Sequence, residues 1–522
     1  MFKTSLLILL PLSLLSVNPS LAQATVTIDV GIVQRFGEED SDRLTLSGSD
    51  NTPLTLEFLA GDGSTQTVTT PSVTLEIVRQ PQENPLVREW VVLSDHATFE
   101  TAENSAKAWQ EKGIEVEVTQ PGRWQVWAKR DVYNTPLLRR MLIQNLQEAG
   151  ESEIYLQSEV LETTPVVSFV VGNFRYNRAN FAIRSANNRI RVNDGTNQYV
   201  YAGDLRIQPN AYGDFTLVNN IDIETYLRGV VPHEIGPNAP YNAVEAQAII
   251  ARTYALRNLR RFKADNYELC ATVHCQVYRG LTGTVERSDR AITATAGLVL
   301  TYNNELVDAL YSAHSGGTTS PFEDTWDGEP RPYLQAQVDA VTPPWDLTAR
   351  PLNNEQAFRE FMSLQTGLNG SNSSVFRWSR ESSIEELTAD LNRYLERTKH
   401  PLAGINRILS MEVAERSVAG RILRFVVETD KGTVELHKTE ARSAFGPPRS
   451  TLFYVDPIRD GNQNLTGYRF VGGGFGHGVG LSQYSSYTLA NLGWNATRIL
   501  EFYYPGAKVE PLNDSLVFYP ED

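Results

Sequence analysis

At 522 residues the chain exceeds what one hydrophobic core holds, so about two to four domains are expected. Its apolar content of 41% is that of a soluble globular protein. A net charge of −15, with no Lys/Arg run, excludes duplex nucleic acid and anionic lipid as partners; a neutral glycan surface stays compatible.

The first 22 residues read as an export signal. Lys3 supplies the positive end and Leu6 to Val17 the apolar region, followed by small-x-small cleavage sites at Ser20-Leu21-Ala22 and Ala22-Gln23-Ala24. An uncleaved anchor is the alternative, but the apolar stretch is short for a membrane span and contains Pro11. No other segment is apolar enough to cross a bilayer, so no transmembrane segment is expected after cleavage, and the product is expected in the periplasm or cell wall. The cysteines are Cys270 and Cys275, so none lies beside the signal for lipid attachment. Export also removes nucleotide-dependent chemistry from consideration, because ATP and NAD are scarce outside the cell.

Residues 25–82 alternate apolar with Thr and Ser, as in Val73, Leu75 and Ile77, and predict a few strands with solvated turns. Residues 85–160 predict a strand at Trp90 to Leu93, a helix from a Thr101 cap to Lys112, and strands at Ile114 to Val118 and Trp124 to Ala128. A second helix opens at Thr135-Pro136, with Leu138, Met141, Leu142 and Leu146 as its buried face, and Ile154 to Leu156 closes the unit. This β-α-β-β-α-β order resembles a SPOR-type peptidoglycan-binding fold; a generic α/β packing unit is the plain alternative.

Strands dominate from residue 166: Phe169 to Val171, Arg189 to Val192, Leu205 to Ile207 and Thr216 to Val218. A helix from Ala243 to Phe262 carries one buried stripe of Val244, Ala248, Ala251, Ala255 and Leu259. Thr293 to Leu300, Glu305 to Tyr311, Arg421 to Val427 and Thr433 to Leu436 read as strands. A polar helical insert lies at about 354–395, and Gly472 to Gln483 forms a glycine-rich loop. The whole is α+β and strand-rich.

Chemistry concentrates in Tyr226-Leu-Arg-Gly-Val-Val-Pro-His-Glu-Ile235 and the following Tyr241-Asn-Ala-Val-Glu-Ala-Gln-Ala-Ile-Ile-Ala-Arg-Thr-Tyr-Ala-Leu256. An apolar strand is expected to stop at Pro232. Glu234 then sits in a short loop before a helix that carries Arg252, a common way to present an acid. This segment closely resembles the signature of the SpoIID/LytB family, which contains peptidoglycan lytic transglycosylases and amidase enhancers. Tyr201-Ala-Gly-Asp-Leu-Arg-Ile207, Tyr311-Ser-Ala-His-Ser-Gly-Gly317 and Gly472-Gly-Gly-Phe-Gly-His-Gly-Val-Gly-Leu-Ser-Gln483 extend the resemblance over residues 166–515.

The resemblance implies a catalytic domain in which Glu234 acts alone. One carboxyl protonates the leaving oxygen between N-acetylmuramic acid and N-acetylglucosamine. As carboxylate it then takes the proton of the C6 hydroxyl, which closes a 1,6-anhydro ring. Ordinary glycoside hydrolysis needs two carboxylates, and no second acid stands beside Glu234; Asp222 and Glu224 belong to the preceding strand. Apolar neighbours such as Val230, Val231 and Ile235 are expected to raise its pKa. A surface or helix-start glutamate is the plain alternative.

The resemblance also places a functional arginine at Arg252, read as orienting substrate or holding the carboxylate in the second step; a salt bridge with Glu245 or Asp222 is the alternative. His314, Ser315, Gly316 and Gly317 are expected to form a tight turn whose hydroxyls and N–H groups bind sugar, without a Gly-x-Ser-x-Gly elbow. The glycine-rich loop lacks a dinucleotide or Walker setting and implies close backbone approach to ligand or chain, with His477, Gly478 and Gln483 lining a groove. Cys270 and Cys275 are expected to pair as a disulfide. Zinc on Cys270, His274 and Cys275 with Asp265 is the alternative, since some family members bind zinc at the matching segment, but the upstream histidine they use is missing here. No cofactor is required by the chemistry. Trp326, Tyr333 and Trp345 stay unassigned aromatics. The functions in contention are an exported lytic transglycosylase acting on peptide-stripped strands, an enhancer of an N-acetylmuramoyl-L-alanine amidase, and a glycan-binding scaffold using residues 85–160.

Overall fold

The computed structural model describes residues 26–519, so the expected signal at 1–22 lies outside them. The first strands, β1 (Thr27–Phe36), β2 (Arg43–Gly48), β3 (Leu54–Leu59) and β4 (Thr65–Thr70), alternate inward apolar residues such as Leu44, Leu46, Leu54 and Leu56 with exposed polar ones. They do not close on one another. A long strand, β5 (Ser72–His96), leads through α1 (Phe99–Glu111), β6 (Val116–Thr119), β7 (Trp124–Ala128) and α2 (Pro136–Glu148) to an equally extended β8 (Tyr155–Val171). Then come β9 (Phe174–Arg178), β10 (Phe181–Ser185), β11 (Arg189–Asn193), β12 (Gln198–Ala202), β13 (Asp204–Pro209) and β14 (Phe215–Asp222).

Early and late strands interleave. One sheet has the order β1-β14-β13-β10-β3-β4, with Leu269–Cys270 added beside β1; the other runs β12-β11-β2-β5-β7-β6, with β8 paired along β5. The boundaries expected between 82 and 85 and between 160 and 166 therefore fall inside β5 and β8, which pair from Glu76↔Ser168 to Val92↔Tyr155. The physical reason is that four early strands alone would leave ladder groups and an apolar face uncovered. Strands from beyond residue 180 supply the missing partners.

The excursion from β5 to β8 has the strand order β8-β5-β7-β6, antiparallel throughout, which is the split β-α-β arrangement. Its helices differ in detail from expectation. Thr98, not Thr101, caps α1 by accepting from the Thr101 N–H at 3.4 Å, so the helix starts earlier. On α2, Leu142 and Leu146 are buried, but Leu138 and Met141 are exposed because the sheet covers only one edge of the predicted stripe.

Next come α3 (Ile223–Arg228), α4 (Val231–Glu234), α5 (Tyr241–Arg257), β15 (Leu269–Cys270), α6 (Glu286–Ala294), β16 (Leu298–Tyr302), β17 (Glu305–Leu306) and β18 (Tyr311–Ser312). The run Tyr226 to Pro232 is thus helical, not a strand. Asp222 ends β14 and caps α3 by accepting from the Thr225 N–H at 2.9 Å. Likewise the expected strand at Thr293 to Leu300 is the end of α6 followed by β16. Helix α5 is shorter than predicted and buried on nearly every face from Ala243 to Arg257, because α6, α10, α11 and β16 pack around it. Small residues make that possible.

The insert is larger than 354–395 and not wholly helical. It contains α7 (Glu355–Met362), β19 (Arg377–Ser383), α8 (Ile384–Arg397), β20 (Ile408–Arg416), β21 (Ile422–Thr429), β22 (Gly432–His437), α9 (Glu440–Ser443), β23 (Phe453–Arg459) and β24 (Leu465–Gly473). Leu387, Leu391, Phe425, Phe453 and Phe470 form a separate core there. The chain returns through β25 (Leu481–Ser482), α10 (Gln483–Asn491), α11 (Ala496–Tyr503) and β26 (Lys508–Pro511). Among the described residues no helix is long and apolar enough to cross a membrane.

Candidate functional site

Glu234 is the last residue of α4, a single turn between Gly229, which closes α3, and Gly236, whose φ of +86° turns the chain toward α5. Two groups from α10 hold this turn. Gln483 Nε2 donates to the Glu234 carbonyl at 3.1 Å, and the Tyr487 hydroxyl donates to the Ile235 carbonyl. The His233 ring bonds the Thr282 carbonyl at 2.9 Å on the other side.

The carboxyl itself is half-buried and faces a cleft of about 480 Å³. Its Oε1 accepts from the Val277 N–H at 2.7 Å, and the Tyr311 hydroxyl donates to it as well. Gln276 orders that phenol by donating to Tyr311 Oη at 3.1 Å, while its own carbonyl oxygen accepts from Tyr226 Oη at 3.3 Å. Burial pushes the Glu234 pKa up, against the two hydrogen bonds that pull it down. The Tyr311 phenol, fully enclosed, is itself pushed well above its ordinary value and stays a donor. A carboxyl kept neutral by burial, yet with donors in place for its ionised form, can both give and take a proton.

The loop that carries Gln276 and Val277 is braced by the Cys270–Cys275 disulfide, whose Cα atoms are 5.6 Å apart. With both sulfurs joined, the zinc alternative falls. Asp265 is turned elsewhere, accepting from the Ala211 N–H at 2.8 Å, and His274 lines the cleft.

Of the cleft-lining residues only Glu234 and Glu100 carry carboxyls, and Glu100 is tied to Arg261 in an ion pair. Glu224 is on helix α3, not on a strand. Its two oxygens take Arg252 Nε at 2.8 Å and Nη2 at 2.6 Å, and Arg252 also donates to the Leu298 carbonyl. Arg252 is fully buried and does not line the cleft. Its place is a strut between α3, α5 and β16, and the partner is Glu224 rather than Glu245 or Asp222.

The His-Ser-Gly-Gly turn is sealed. His314 Nε2 meets the Gly370 carbonyl at 3.0 Å and its Nδ1 accepts from the Gly316 N–H at 2.9 Å. Ser315 donates to Asp339 at 2.6 Å, and Asp339 also takes Asn369 at 3.0 Å and Tyr503 at 3.0 Å. His314 and Ser315 are fully buried, and Gly316 and Gly317 pack on Gly473, Phe361 and Leu368. None of the four can reach a sugar; the turn instead latches the insert to the rest of the chain.

The glycine-rich loop approaches protein, not ligand. At Gly474 (φ +80°) a Cβ would stand 2.6 Å from the His314 carbonyl, and at Gly478 (φ +77°) 2.0 Å from the Arg421 guanidinium. Gly478 therefore lies behind the cleft wall. His477 does line the cleft, against Trp326 at a ring distance of 5.0 Å. Burial, with Arg442 and Arg421 nearby, lowers its pKa to about 3, so it is neutral there. Gln483 lines the cleft while holding the Glu234 turn.

Sequence reasoning missed Tyr311 as a partner of Glu234, the Gln276–Val277 loop, Arg442, and the contribution of Thr98, Phe99, Glu100 and Trp124 from the split β-α-β unit. The first two had a signal, since Tyr311 opens the His-Ser-Gly-Gly element and Gln276 adjoins Cys275. The others depend on packing between distant segments. Trp326 takes part in the cleft; Tyr333 and Trp345 do not.

Residues 211–302 match the family model described as stage II sporulation protein, SpoIID, and residues 320–480 match a domain of unknown function, DUF8618. The chain is 30% identical over 299 residues to an amidase enhancer of Bacillus subtilis, covering 54% of this chain and 39% of that protein. Stage II sporulation protein D of the same organism is 26% identical over 310 residues, covering 56% of this chain and 75% of that protein. The chain belongs to the SpoIID/LytB family. In this SpoIID/LytB-family protein, Glu234 lies in the first matched segment, whereas Trp326, Arg442 and His477 lie in the second. The cleft is where the two meet.

Proposed function

We propose that this protein acts on the bacterial cell wall as a lytic transglycosylase of peptidoglycan glycan strands, with Glu234 as acid and then base. The observation that carries the reading is a single half-buried carboxyl, raised in pKa, at the wall of a cleft whose other carboxyl is already paired. The cleft volume is within the range usual for ligand sites, about 300–1,000 Å³. Neutral Glu234 donates its proton to the glycosidic oxygen as the C1–O bond breaks. The carboxylate so formed keeps its bonds from Tyr311 and the Val277 N–H. It then takes the proton of the C6 hydroxyl as that oxygen bonds to C1, which restores the neutral acid and leaves a 1,6-anhydro end. No activated water is needed, which suits a cleft without a second carboxylate to serve as base.

Arg252 is assigned no part in this reaction, since its guanidinium is committed to Glu224. The export signal fits a periplasmic or wall location, and the split β-α-β unit fits attachment to glycan in the manner of a SPOR domain. A second reading, enhancement of an N-acetylmuramoyl-L-alanine amidase, is favoured by the match of 54% of this chain to a protein named as an amidase enhancer.

The test uses purified protein and its Glu234→Gln variant on intact and amidase-treated sacculi, with products analysed for 1,6-anhydromuramic ends. Ends released by the native protein and not by the variant support the enzyme. Equal stimulation of an added amidase by both proteins, without such ends, supports the enhancer.

A further inference from the structure

Arg442 lies on α9 of the insert and lines the same cleft as Glu234. It is half-buried, and among the described residues neither a hydrogen bond nor an ion pair reaches its guanidinium. The other buried arginines nearby are all answered. Arg261 is held by Glu100, Asn258 Oδ1 and the His274 carbonyl; Arg377 by backbone carbonyls that include Gly316; Arg421 by the carbonyls of Ser315 and Thr318. Burial alone lowers the pKa of Arg442, with no carboxylate offsetting it. Its titratable neighbours in the cleft do not neutralise it. His477 is uncharged, Glu100 is taken by Arg261, and Glu234 is held by Val277 and Tyr311. A partly desolvated, unpaired cation in a ligand cleft is costly unless the ligand brings an anion.

We propose that Arg442 binds a carboxylate of the saccharide in the Glu234 cleft and so selects glycan strands whose muramic acid carries a free lactyl group. The inference rests on the proposed substrate. In such strands the lactyl carboxyl is an amide where a stem peptide is attached and a free carboxylate where it has been removed. A guanidinium fork pairs with the carboxylate bidentately and gains little from the neutral amide. The insert would then set substrate choice while the family domain supplies the acid.

The experiment measures binding by full-length Glu234→Gln protein, which cannot turn substrate over. The probes are peptide-stripped glycan strands and the same strands after coupling of their lactyl carboxylates to methylamine. Stripped strands are expected to bind about tenfold or more tightly. The preference should vanish in Glu234→Gln/Arg442→Gln and return in part with Arg442→Lys, with melting curves confirming that each variant is folded. Equal binding of the two strands, binding of neither, or a preference that survives Arg442→Gln overturns the assignment. Anhydro ends are scored separately with the native protein. Their absence beside an intact, Arg442-dependent preference removes the transglycosylase reading and leaves the carboxylate site standing.

Discussion

Two clusters of polar residues meet near the centre of this molecule, and they behave in opposite ways. In the His314–Ser315 latch every group has a protein partner and no atom reaches solvent: Ser315 on Asp339, His314 on Gly370, Arg421 on two carbonyls. In the Glu234 cleft the groups are only partly matched: a raised carboxyl with donors for its charged form, and an arginine with no counter-charge. The richer motif is therefore structural and the sparser one is available for chemistry. Unused hydrogen-bonding capacity that faces a cleft separates a site from a strut.

The sharpest way to break this contrast is Glu234→Gln. It should lower the rate of anhydro-end release by about a thousandfold, the scale of a lost general acid, while leaving the fold intact. Retained activity in product analysis would end the assignment. Arg252→Gln should act in the opposite manner. Loss of the buried partner of Glu224 should cost about 3 kcal/mol of stability in denaturant unfolding, with turnover per folded molecule unchanged. Replacing Cys270 and Cys275 together by Ser should cost about 2 kcal/mol for so short a loop. It should also lower the rate, because the loop that presents Gln276 and the Val277 N–H loosens; calorimetry and product release check the two effects. Ser315→Ala should cost about 1–3 kcal/mol, since it leaves Asp339 short of a donor, again without a change in turnover.

The smallest expected effect is in pH dependence. The Tyr311 hydroxyl stabilises ionised Glu234, so Tyr311→Phe raises that pKa further and the alkaline limb of kcat/KM should move to higher pH. Stability follows the same sign. In the folded state Glu234 holds its proton at pH values where the unfolded chain has released it, so its contribution to stability declines as pH rises through that window. The Glu234→Gln variant should therefore gain on the native protein as pH rises, measured by melting temperature across a pH series.

The local elements near the cleft were legible where pattern and capping agree. Trp124 to Ala128 is the predicted strand, and Thr135-Pro136 opens the predicted helix. The Glu234 segment was misread as strand and loop because Val230, Val231 and Ile235 suit either state; burial beneath α5 and α10 decides for helix. The domain boundaries at 82–85 and 160–166 were not legible either. Register between β5 and β8 is a pairing of residues far apart in sequence, and alternation alone does not reveal which strand lies alongside.

Sequence alone determined the family signature, the acid at its centre, the paired cysteines and the order of elements in the split β-α-β unit, because each of these is written in short spacings. Tertiary structure alone decided that Arg252 answers Glu224, that the His-Ser-Gly-Gly turn is closed off, and that Arg442 arrives at the cleft from a separate insert. Whether a polar side chain is satisfied or left waiting depends on what the rest of the chain packs against it. That sum is made across hundreds of residues, and no local pattern contains it.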